Sequence, residues 1–251
     1  MRGKLVAGNW KMVGNRRSVT ELLQGLTGNS SVTGEGRTVV VCPSAIHIPL
    51  AAQLLAGSAI RLGAQNVHYQ AQGAFTGETS VDMLADYGVG YVIVGHSERR
   101  QLFGETDDLV AEKFVAIQQH QLTPILCVGE TREQREQQIT EQVVLAQLDA
   151  VLARAGVSAL THAVVAYEPV WAIGTGLTAT PAQAQEVHGM MRRHIAAVDL
   201  AVAARVPLIY GGSVNPGNAA MLFAEADIDG GLVGGASLKA DDFALICQSL
   251  G

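Results

Sequence analysis

The sequence has no hydrophobic run long enough to cross a membrane. A membrane helix needs about eighteen or more consecutive apolar residues, and no stretch approaches that length although 48% of the 251 residues are hydrophobic. The first twelve residues, MRGKLVAGNWKM, lack the apolar segment of a signal peptide. We therefore expect this N-terminus to begin the mature fold, and we expect no membrane partner.

Cysteine is scarce and scattered. The three residues, Cys42, Cys127 and Cys247, lie far apart and form no CxxC pair. This spacing argues against a disulfide framework or a zinc site and predicts reduced side chains in the cytoplasm. Positive charge is also scarce: the 17 Lys and Arg residues are outnumbered by 23 Asp and Glu residues, which gives a net charge of -6. That balance argues against nucleic acid as a partner, but a site can still be locally positive and hold a small anion.

Several common motifs are absent as well. The sequence contains no Walker A motif, no HExxH, no GxSxG and no GxGxxG after a predicted strand. The seven histidines never combine with carboxylates or cysteines at a metal spacing, and His188 and His194 are six residues apart on a predicted helix, so they face different directions. We therefore expect neither a metal ion nor a cofactor.

What is present is a recurring pattern of short apolar runs. Most are β-branched and carry little polar alternation, which is typical of strands that are covered on both faces. Eight such runs predict strands at residues 4–9, 37–42, 60–65, 91–96, 124–129, 162–167, 206–211 and 229–234.

Helical patterns lie between the strands. One predicted helix begins at Thr106, a second extends from about Gln137 to Ala155, and a third follows Thr180-Pro181 and ends near Val198. The apolar spacing predicts which residues face inward: Val110, Phe114 and Ile117 in the first helix, and Ile139, Val143, Ala146 and Leu148 in the second.

The alternation of eight strands with helices predicts parallel βαβ units. A chain of about 250 residues is typical of a closed (β/α)8 TIM barrel, and no linker divides this one, so we predict a single α/β domain over residues 1–251. An open doubly wound sheet is the alternative. In such a barrel the chemistry takes place at the C-terminal ends of the strands.

Strands 1 and 4 end in polar residues. Asn9 and Lys11 are two residues apart in GNWK, so in extended chain their side chains point the same way. A lysine aimed into a barrel mouth requires an anion to offset its desolvation, although a solvated lysine that has left the strand fits equally well. His96 follows strand 4 at a predicted helix start, which favours its neutral form, with a purely structural histidine as the alternative.

Strand 6 ends in a carboxylate, Glu168, beside Tyr167 and Pro169. Partial burial there would raise its pKa and suit a general base, whereas an ion pair with a neighbouring Arg or Lys is the alternative. The apolar loop that follows has Pro at one end and Gly at the other, which is typical of a lid. Strands 7 and 8 lead into Gly-Gly pairs, in YGGSVNP and LVGGASL, at the positions where barrels usually bind phosphate.

Six motifs stand in order across nearly the whole chain: GNWKM, GHSERR, CVGE, AYEPVWAIGTG, YGGSV and LVGGASL. Together they resemble the triosephosphate isomerase family, and the AYEPVWAIGTG string is highly specific. The resemblance implies interconversion of dihydroxyacetone phosphate and glyceraldehyde 3-phosphate, in glycolysis and gluconeogenesis.

The resemblance also implies a role for each matching residue. Glu168 is the base that moves the proton between two carbons, and neutral His96 polarises the carbonyl. Lys11 supplies positive charge near the substrate oxygens and phosphate, and Asn9 positions the substrate. Residues 169–179 form the lid. The backbone around four residues is expected to hold the phosphate, namely Gly174, Ser213, Gly234 and Gly235.

The family also works as a homodimer, in which a loop after strand 3 inserts into the partner. Here that loop is residues 65–80, with Phe75 beside Thr76 at its tip. An exposed aromatic residue is a reasonable anchor for a pocket on a partner, although an ordinary mobile surface loop is the alternative.

Three departures from the family pattern are small: Val13, Leu177 and Gly231 stand where Asn, Lys and Ala are common. Leu177 lies in the predicted lid, so this departure bears on the rate at which the lid opens. The alternative functions are a differently specific sugar-phosphate barrel and a non-catalytic barrel that binds a sugar phosphate or a partner protein. The joint presence of Asn9, Lys11, His96 and Glu168 argues against both.

Overall fold

The computed structural model describes residues 2–173 and 178–251. Leu177 of the predicted lid lies outside this described part. Eight parallel strands pair in chain order, and the last strand pairs with the first, which closes the sheet into a barrel. The strands are β1 Lys4–Asn9, β2 Arg37–Cys42, β3 Arg61–Ala64, β4 Tyr91–Val94, β5 Thr123–Val128, β6 Val164–Tyr167, β7 Leu208–Tyr210 and β8 Gly230–Val233.

Helices alternate with the strands around this barrel. In the described residues they are α1 Arg16–Thr27, α2 Ile48–Leu54, α3 Val81–Ala85, α4 Ser97–Phe103, α5 Asp107–Gln119, α6 Arg132–Glu136, α7 Thr140–Ala155, α8 Pro181–Val198, α9 Leu200–Ala203, α10 Ala219–Phe223 and α11 Ala240–Gln248. Short 3-10 turns cover Ala45–His47, Val157–His162, Val170–Ala172 and Gly235–Leu238.

The predicted (β/α)8 barrel is confirmed, and the open doubly wound sheet is excluded because β1 pairs with β8. The bounds predicted for β1 and β2 are those observed, and the other strands differ by one or two residues at an end. The trimmed positions include Gly95 and Gly129, which follow β4 and β5 and already belong to the loops that carry the polar residues.

The helix predictions succeed where a cap marks the start. Thr106 caps α5, and a capping box between Thr180 and Gln183 starts α8 with Pro181 in its first turn.

Of the residues predicted to face inward in the second predicted helix, Leu148 is buried, Ile139 and Val143 are half-buried, and Ala146 is exposed. The observed helix α7 begins only at Thr140, and its buried residues are Val144, Leu148 and Val151. The separate short helix α6 ends just before it, so the phase of the pattern read from Gln137 did not carry into α7.

Apolar side chains form two concentric layers. The inner layer fills the barrel with residues such as Ile93, Ile125 and Ile209, and the outer layer packs the helices against the strands. Such alternation of inward and outward side chains along each strand follows from the two-residue repeat. The barrel is therefore a packed solid whose open chemistry lies at its ends.

The two ends of the chain meet at the face of the barrel where the strands begin. The Lys4 Nζ donates to the Leu250 carbonyl at 2.6 Å. Nearby, the Asp229 carboxylate accepts from Arg192 Nη2 at 2.7 Å, from Arg2 Nε at 2.7 Å and from the Leu208 N–H at 2.9 Å. Asp229 thus ties the start of β7 and the segment before β8 to Arg2 near the N-terminus, and Lys4 ties β1 to the C-terminal residues.

We predict that Gly230→Ala opens the seam between β1 and β8. Gly230 has φ 144°, and a Cβ there would lie 1.8 Å from the Leu5 carbonyl oxygen. Backbone strain and this overlap together should lower the free energy of unfolding by about 3 kcal/mol or more. Urea denaturation followed by circular dichroism measures the change.

Gly90→Ala is the matched control, because Gly90 precedes β4 and a Cβ there meets nothing within 4 Å. We expect it to change the free energy of unfolding by less than about 0.5 kcal/mol. Equal stability of the two variants would contradict the account of the seam.

Candidate active site

A cavity of about 380 Å³ opens at the C-terminal ends of the strands. It lies where a barrel enzyme carries its chemistry. The structure brings together seven of the eight predicted site residues in its lining, whereas Gly174 lies outside the described residues. The seven are Asn9, Lys11, His96, Glu168, Ser213, Gly234 and Gly235.

Glu168 follows β6 directly and is 2% exposed. Its N–H donates to the Val128 carbonyl at 2.8 Å, which extends the strand pairing by one residue. Its Oε2 accepts from the Ser97 N–H at 2.9 Å, and its Oε1 lies 3.0 Å from His96 Nε2. The buried carboxylate is therefore satisfied by two donors from the end of β4, as a buried charge requires.

Gly129, after β5, is needed for this arrangement. A Cβ at Gly129 would lie 1.8 Å from the Glu168 carbonyl oxygen. The chain after β6 can therefore approach the chain after β5 so closely only because a glycine stands there.

The hydrogen bonds of His96 define its tautomer. Its Nδ1 accepts from the Glu98 N–H at 3.2 Å, as the cap of α4, so Nδ1 carries no proton. In the neutral ring the proton is then on Nε2, which donates to Glu168 Oε1. A neutral histidine with its one N–H aimed at the cavity can donate to a substrate oxygen.

The two side chains shift each other's pKa. Burial raises the pKa of Glu168, but the adjacent His96, the Ser97 N–H and Lys11 outweigh burial and hold it below its usual range. Burial lowers the pKa of His96, but the Glu168 carboxylate outweighs burial and raises it. The raised Glu168 pKa expected from the sequence is wrong for this arrangement, because the sequence pattern did not reveal the contact with His96.

Lys11 and Asn9 form the other side of the cavity. The Lys11 Nζ lies 2.5 Å from Glu98 Oε1, and its side chain is 30% exposed. The Lys11 N–H donates to Asn9 Oδ1 at 3.1 Å, which leaves the Asn9 amide nitrogen as the donor for the cavity. Both predicted residues thus lie at the site, and Lys11 is partly paired with an anion of the protein itself.

The opposite wall is built from backbone. Ser213 comes shortly after β7, and its carbonyl accepts from Asn218 Nδ2 at 3.0 Å. Gly234 follows β8, and Gly235 opens the 3-10 turn beyond it. A Cβ at Gly235 would meet nothing within 4 Å, so this backbone faces open space. Main-chain N–H groups without a side chain in front of them suit an oxyanion.

Several residues that the sequence did not mark as site residues also shape the site. Ser97 supplies a backbone N–H to Glu168, and Glu98 pairs with Lys11; both stand in the GHSERR motif, which pointed to this turn. Cys127 lies beside Glu168 inside the barrel, where burial and that carboxylate raise the pKa of its thiol. Its burial in an apolar strand gave no signal. The cavity lining also includes Ile173, Gly211, Gly212, Val214, Asn215, Leu232 and Ala236.

A second buried carboxylate supports the loop after β6. Glu130 is fully buried, and its Oε1 accepts at 3.0 Å from Tyr167 Oη, from Trp171 Nε1 and from Arg135 Nη1. The Val170 N–H donates to the Glu130 carbonyl at 3.1 Å. Glu130 thus anchors the segment that leaves Glu168, as far as the structure describes it.

Across the described ranges 2–173 and 178–251, no three His, Cys, Asp or Glu side chains come together in a group that could hold a metal ion. No helix among the same residues is long and apolar enough to cross a membrane.

The chain is similar to known proteins along its whole length. The profile of the triosephosphate isomerase family matches residues 4–250. The chain is 54% identical to a triosephosphate isomerase of Nitrosococcus oceani and 55% identical to one of Ectopseudomonas mendocina, in each case over 100% of both chains. It is 54% identical to a triosephosphate isomerase of Dechloromonas aromatica over 99% of both.

We predict that replacing Glu168 by Gln changes stability in a pH-dependent way. The folded-state pKa of Glu168 is lowered, so its contribution is present above about pH 4.5 and is lost as the pH falls. The folded-state pKa of His96 is raised by the same contact, so that contribution is present below about pH 6.5 and is lost as the pH rises.

The free energy of unfolding of the wild type minus that of Glu168→Gln should therefore be largest between about pH 4.5 and 6.5. Urea titrations from pH 4 to pH 8 measure it. Glu21→Gln, which removes a solvent-exposed carboxylate, is the control and should give a nearly flat difference. A flat difference for Glu168→Gln as well would contradict the coupling.

Proposed function

We propose that Glu168 and His96 carry out the reaction of this chain, which belongs to the triosephosphate isomerase family. The chain is an isomerase that interconverts dihydroxyacetone phosphate and D-glyceraldehyde 3-phosphate. The observation that carries the assignment of roles is the contact of 3.0 Å between Glu168 Oε1 and His96 Nε2 inside the cavity.

In the proposed mechanism Glu168 is the base. Its carboxylate takes a proton from the carbon next to the substrate carbonyl, and the electron pair of the broken C–H bond forms an enediolate. His96 gives its Nε2 proton to the charged oxygen of the enediolate and takes the hydroxyl proton of the neighbouring oxygen at the same atom, so the charge moves from one oxygen to the other. The carboxylic acid of Glu168 then returns its proton to the neighbouring carbon, which completes the isomerisation. The lowered pKa of Glu168 favours the ionised form that this first step needs at neutral pH.

His96 acts as the electrophile. Its Nε2–H donates to the carbonyl oxygen and stabilises the negative charge that develops there. The Glu98 N–H on Nδ1 supports this role, because it holds the proton on Nε2. Substrate entering between the two side chains would replace their mutual contact with one contact from each.

Lys11 and Asn9 complete the catalytic group. Lys11 supplies positive charge near the substrate oxygens and phosphate, and Asn9 donates its amide N–H to position the substrate. The backbone around Gly174, Ser213, Gly234 and Gly235 grips the phosphate. The open backbone at Gly235 supports this role, and the part played by Gly174 rests on its motif alone.

A barrel that only binds a sugar phosphate, or one that acts on a different sugar phosphate, would need the phosphate grip alone. Four groups suited to proton transfer and charge stabilisation, namely Asn9, Lys11, His96 and Glu168, line the same cavity. Their convergence favours the isomerase over either alternative.

We also propose that the protein is a cytoplasmic homodimer that associates through the loop of residues 65–80. A second cavity of about 480 Å³ adjoins the site, with Met12 and Phe103 in its lining. Met12 is 95% exposed and Phe103 68%, and such apolar surface is usually covered. Within the loop, the rings of His68 and Phe75 lie 4.2 Å apart, which gives it a compact apolar tip.

We predict that Glu168→Gln lowers kcat by at least about a thousandfold, because it removes the base without changing the shape of the side chain. The assay is isomerisation of glyceraldehyde 3-phosphate coupled to a dehydrogenase, in the presence of EDTA. Glu141→Gln, a change at the exposed start of α7, is the control and should keep wild-type kcat.

Equal, fast turnover in the wild type and Glu168→Gln would remove Glu168 from the mechanism. Slow turnover in both proteins would indicate a binding function, and loss of wild-type activity with EDTA would indicate a metal requirement.

We predict that Phe75→Ala raises the dissociation constant of the dimer by about tenfold or more, because an aromatic anchor leaves its pocket. Light scattering over a dilution series measures the constant. Leu200→Ala, which removes an exposed side chain on α9, is the control and should leave it unchanged. A fully active wild-type monomer at nanomolar concentration would reject the dimer.

A further inference from the structure

Lys11 has a backbone conformation that residues other than glycine rarely adopt. Its φ is 51°, in the left-handed region, and it is one of three non-glycine residues with positive φ in the described ranges. Such a conformation costs free energy and persists only when its surroundings hold it. The residue that carries the positive charge of the site is therefore strained.

The Lys11 carbonyl is held by two side chains. The Ser44 hydroxyl donates to it at 2.8 Å, and Gln65 Nε2 donates to it at 2.9 Å. Gln65 Nε2 also donates to the Cys42 carbonyl at 2.9 Å, and the Trp10 N–H donates to that same carbonyl at 3.1 Å. The turn after β1 is thus fastened to the ends of β2 and β3.

Ser44 occupies an N-cap position but its hydroxyl does not act as the cap. It precedes the 3-10 turn Ala45–His47, at the place where a hydroxyl usually caps the turn that follows. Here the hydroxyl makes no capping bond and reaches across to Lys11 instead.

The other end of the Lys11 residue is tied to Asn9. Because the Lys11 N–H donates to Asn9 Oδ1, the orientation of the Asn9 amide depends on the same turn. A shift of the Lys11 carbonyl would therefore move two groups of the site, the Lys11 amine and the Asn9 amide nitrogen.

We propose that Ser44, together with Gln65, is a positioning residue for Lys11: it holds the strained backbone from which Lys11 and Asn9 reach the substrate. This inference rests on the proposed roles of those two residues. Ser44 makes its effect through Lys11 and not by touching substrate, and it does not line the cavity that holds Glu168.

The test is the steady-state kinetics of Ser44→Ala. This variant loses the hydrogen bond that positions Lys11, whose charge acts on the bound substrate and the transition state alike. KM should therefore rise by about fivefold, and kcat should stay within about twofold. Ser44→Thr keeps the hydroxyl and should restore the wild-type KM. Ser249→Ala removes a hydroxyl that also donates to a carbonyl, that of Leu245, but in the last turn of the chain, and should change neither constant.

A double-mutant cycle separates positioning from general loosening. If Ser44 acts through Lys11, then Ser44→Ala should lower kcat/KM no further in a Lys11→Ala background. An equal further loss there, or a wild-type KM in Ser44→Ala, would overturn the proposal. Light scattering on the same samples should show an unchanged oligomeric state, and a shift to monomer would assign the effect to assembly and also overturn it.

A readout that needs no turnover keeps this proposal separate from the proposed function. Acylation of the Lys11 amine by acetic anhydride, followed by peptide mass spectrometry, should be at least about twofold faster in Ser44→Ala, because a loosened Lys11 holds Glu98 less well. Exposed Lys239 is the internal control. An inactive wild type would refute the proposed function, and an unchanged acylation rate would refute the role of Ser44.

Discussion

The contact between the Glu168 carboxylate and the His96 ring joins two strand ends that are not neighbours in the barrel. β5 lies between β4 and β6, so the two side chains meet across it. Their meeting depends on closure of the barrel, which brings the strand ends together in one ring. It also depends on Gly129, which lets the chain after β6 pass close to the end of β5. A carboxylate can stay ionised in so buried a place because His96 and the Ser97 N–H satisfy it.

The site is therefore coupled before any substrate arrives. His96 and Glu168 each lower the cost of the other's charged form, whereas burial works against both. Glu130, just after β5, is a second buried carboxylate, and one of its oxygens accepts from Tyr167, Trp171 and Arg135. Two buried carboxylates thus lie beside the chain that leaves β6: Glu168 lines the active-site cavity, and Glu130 holds the backbone and side chains that follow it.

The sequence predicted the barrel and the location of the site because both depend on local patterns. Apolar runs mark strands, Thr106 and Thr180 mark helix starts, and polar residues just after a run mark the strand ends. The phase of α7 was not predicted because the short helix α6 interrupts the pattern just before it. The pKa of Glu168 could not be predicted because it depends on contacts with His96 and Ser97, which are distant in the chain. The same holds for Ser44, whose hydroxyl contacts a residue 33 positions away. Local patterns give positions along the chain, whereas the partner of a side chain emerges only when the barrel closes.

The junction between the two chain ends has a consequence for how the molecule can be rebuilt. Lys4 and Leu250 touch at the face where the strands begin, and β1 already pairs with β8. A short linker could join the ends into a circular chain without passing over the active site, which lies at the opposite face. New ends could then be cut in an exposed loop of the strand-start face, such as the one around Gly57, since exposed loops tolerate such breaks. The order in which the strands leave the ribosome would change while the ring of strands stayed the same, which makes the chain a suitable subject for asking whether this barrel assembles from a fixed starting point.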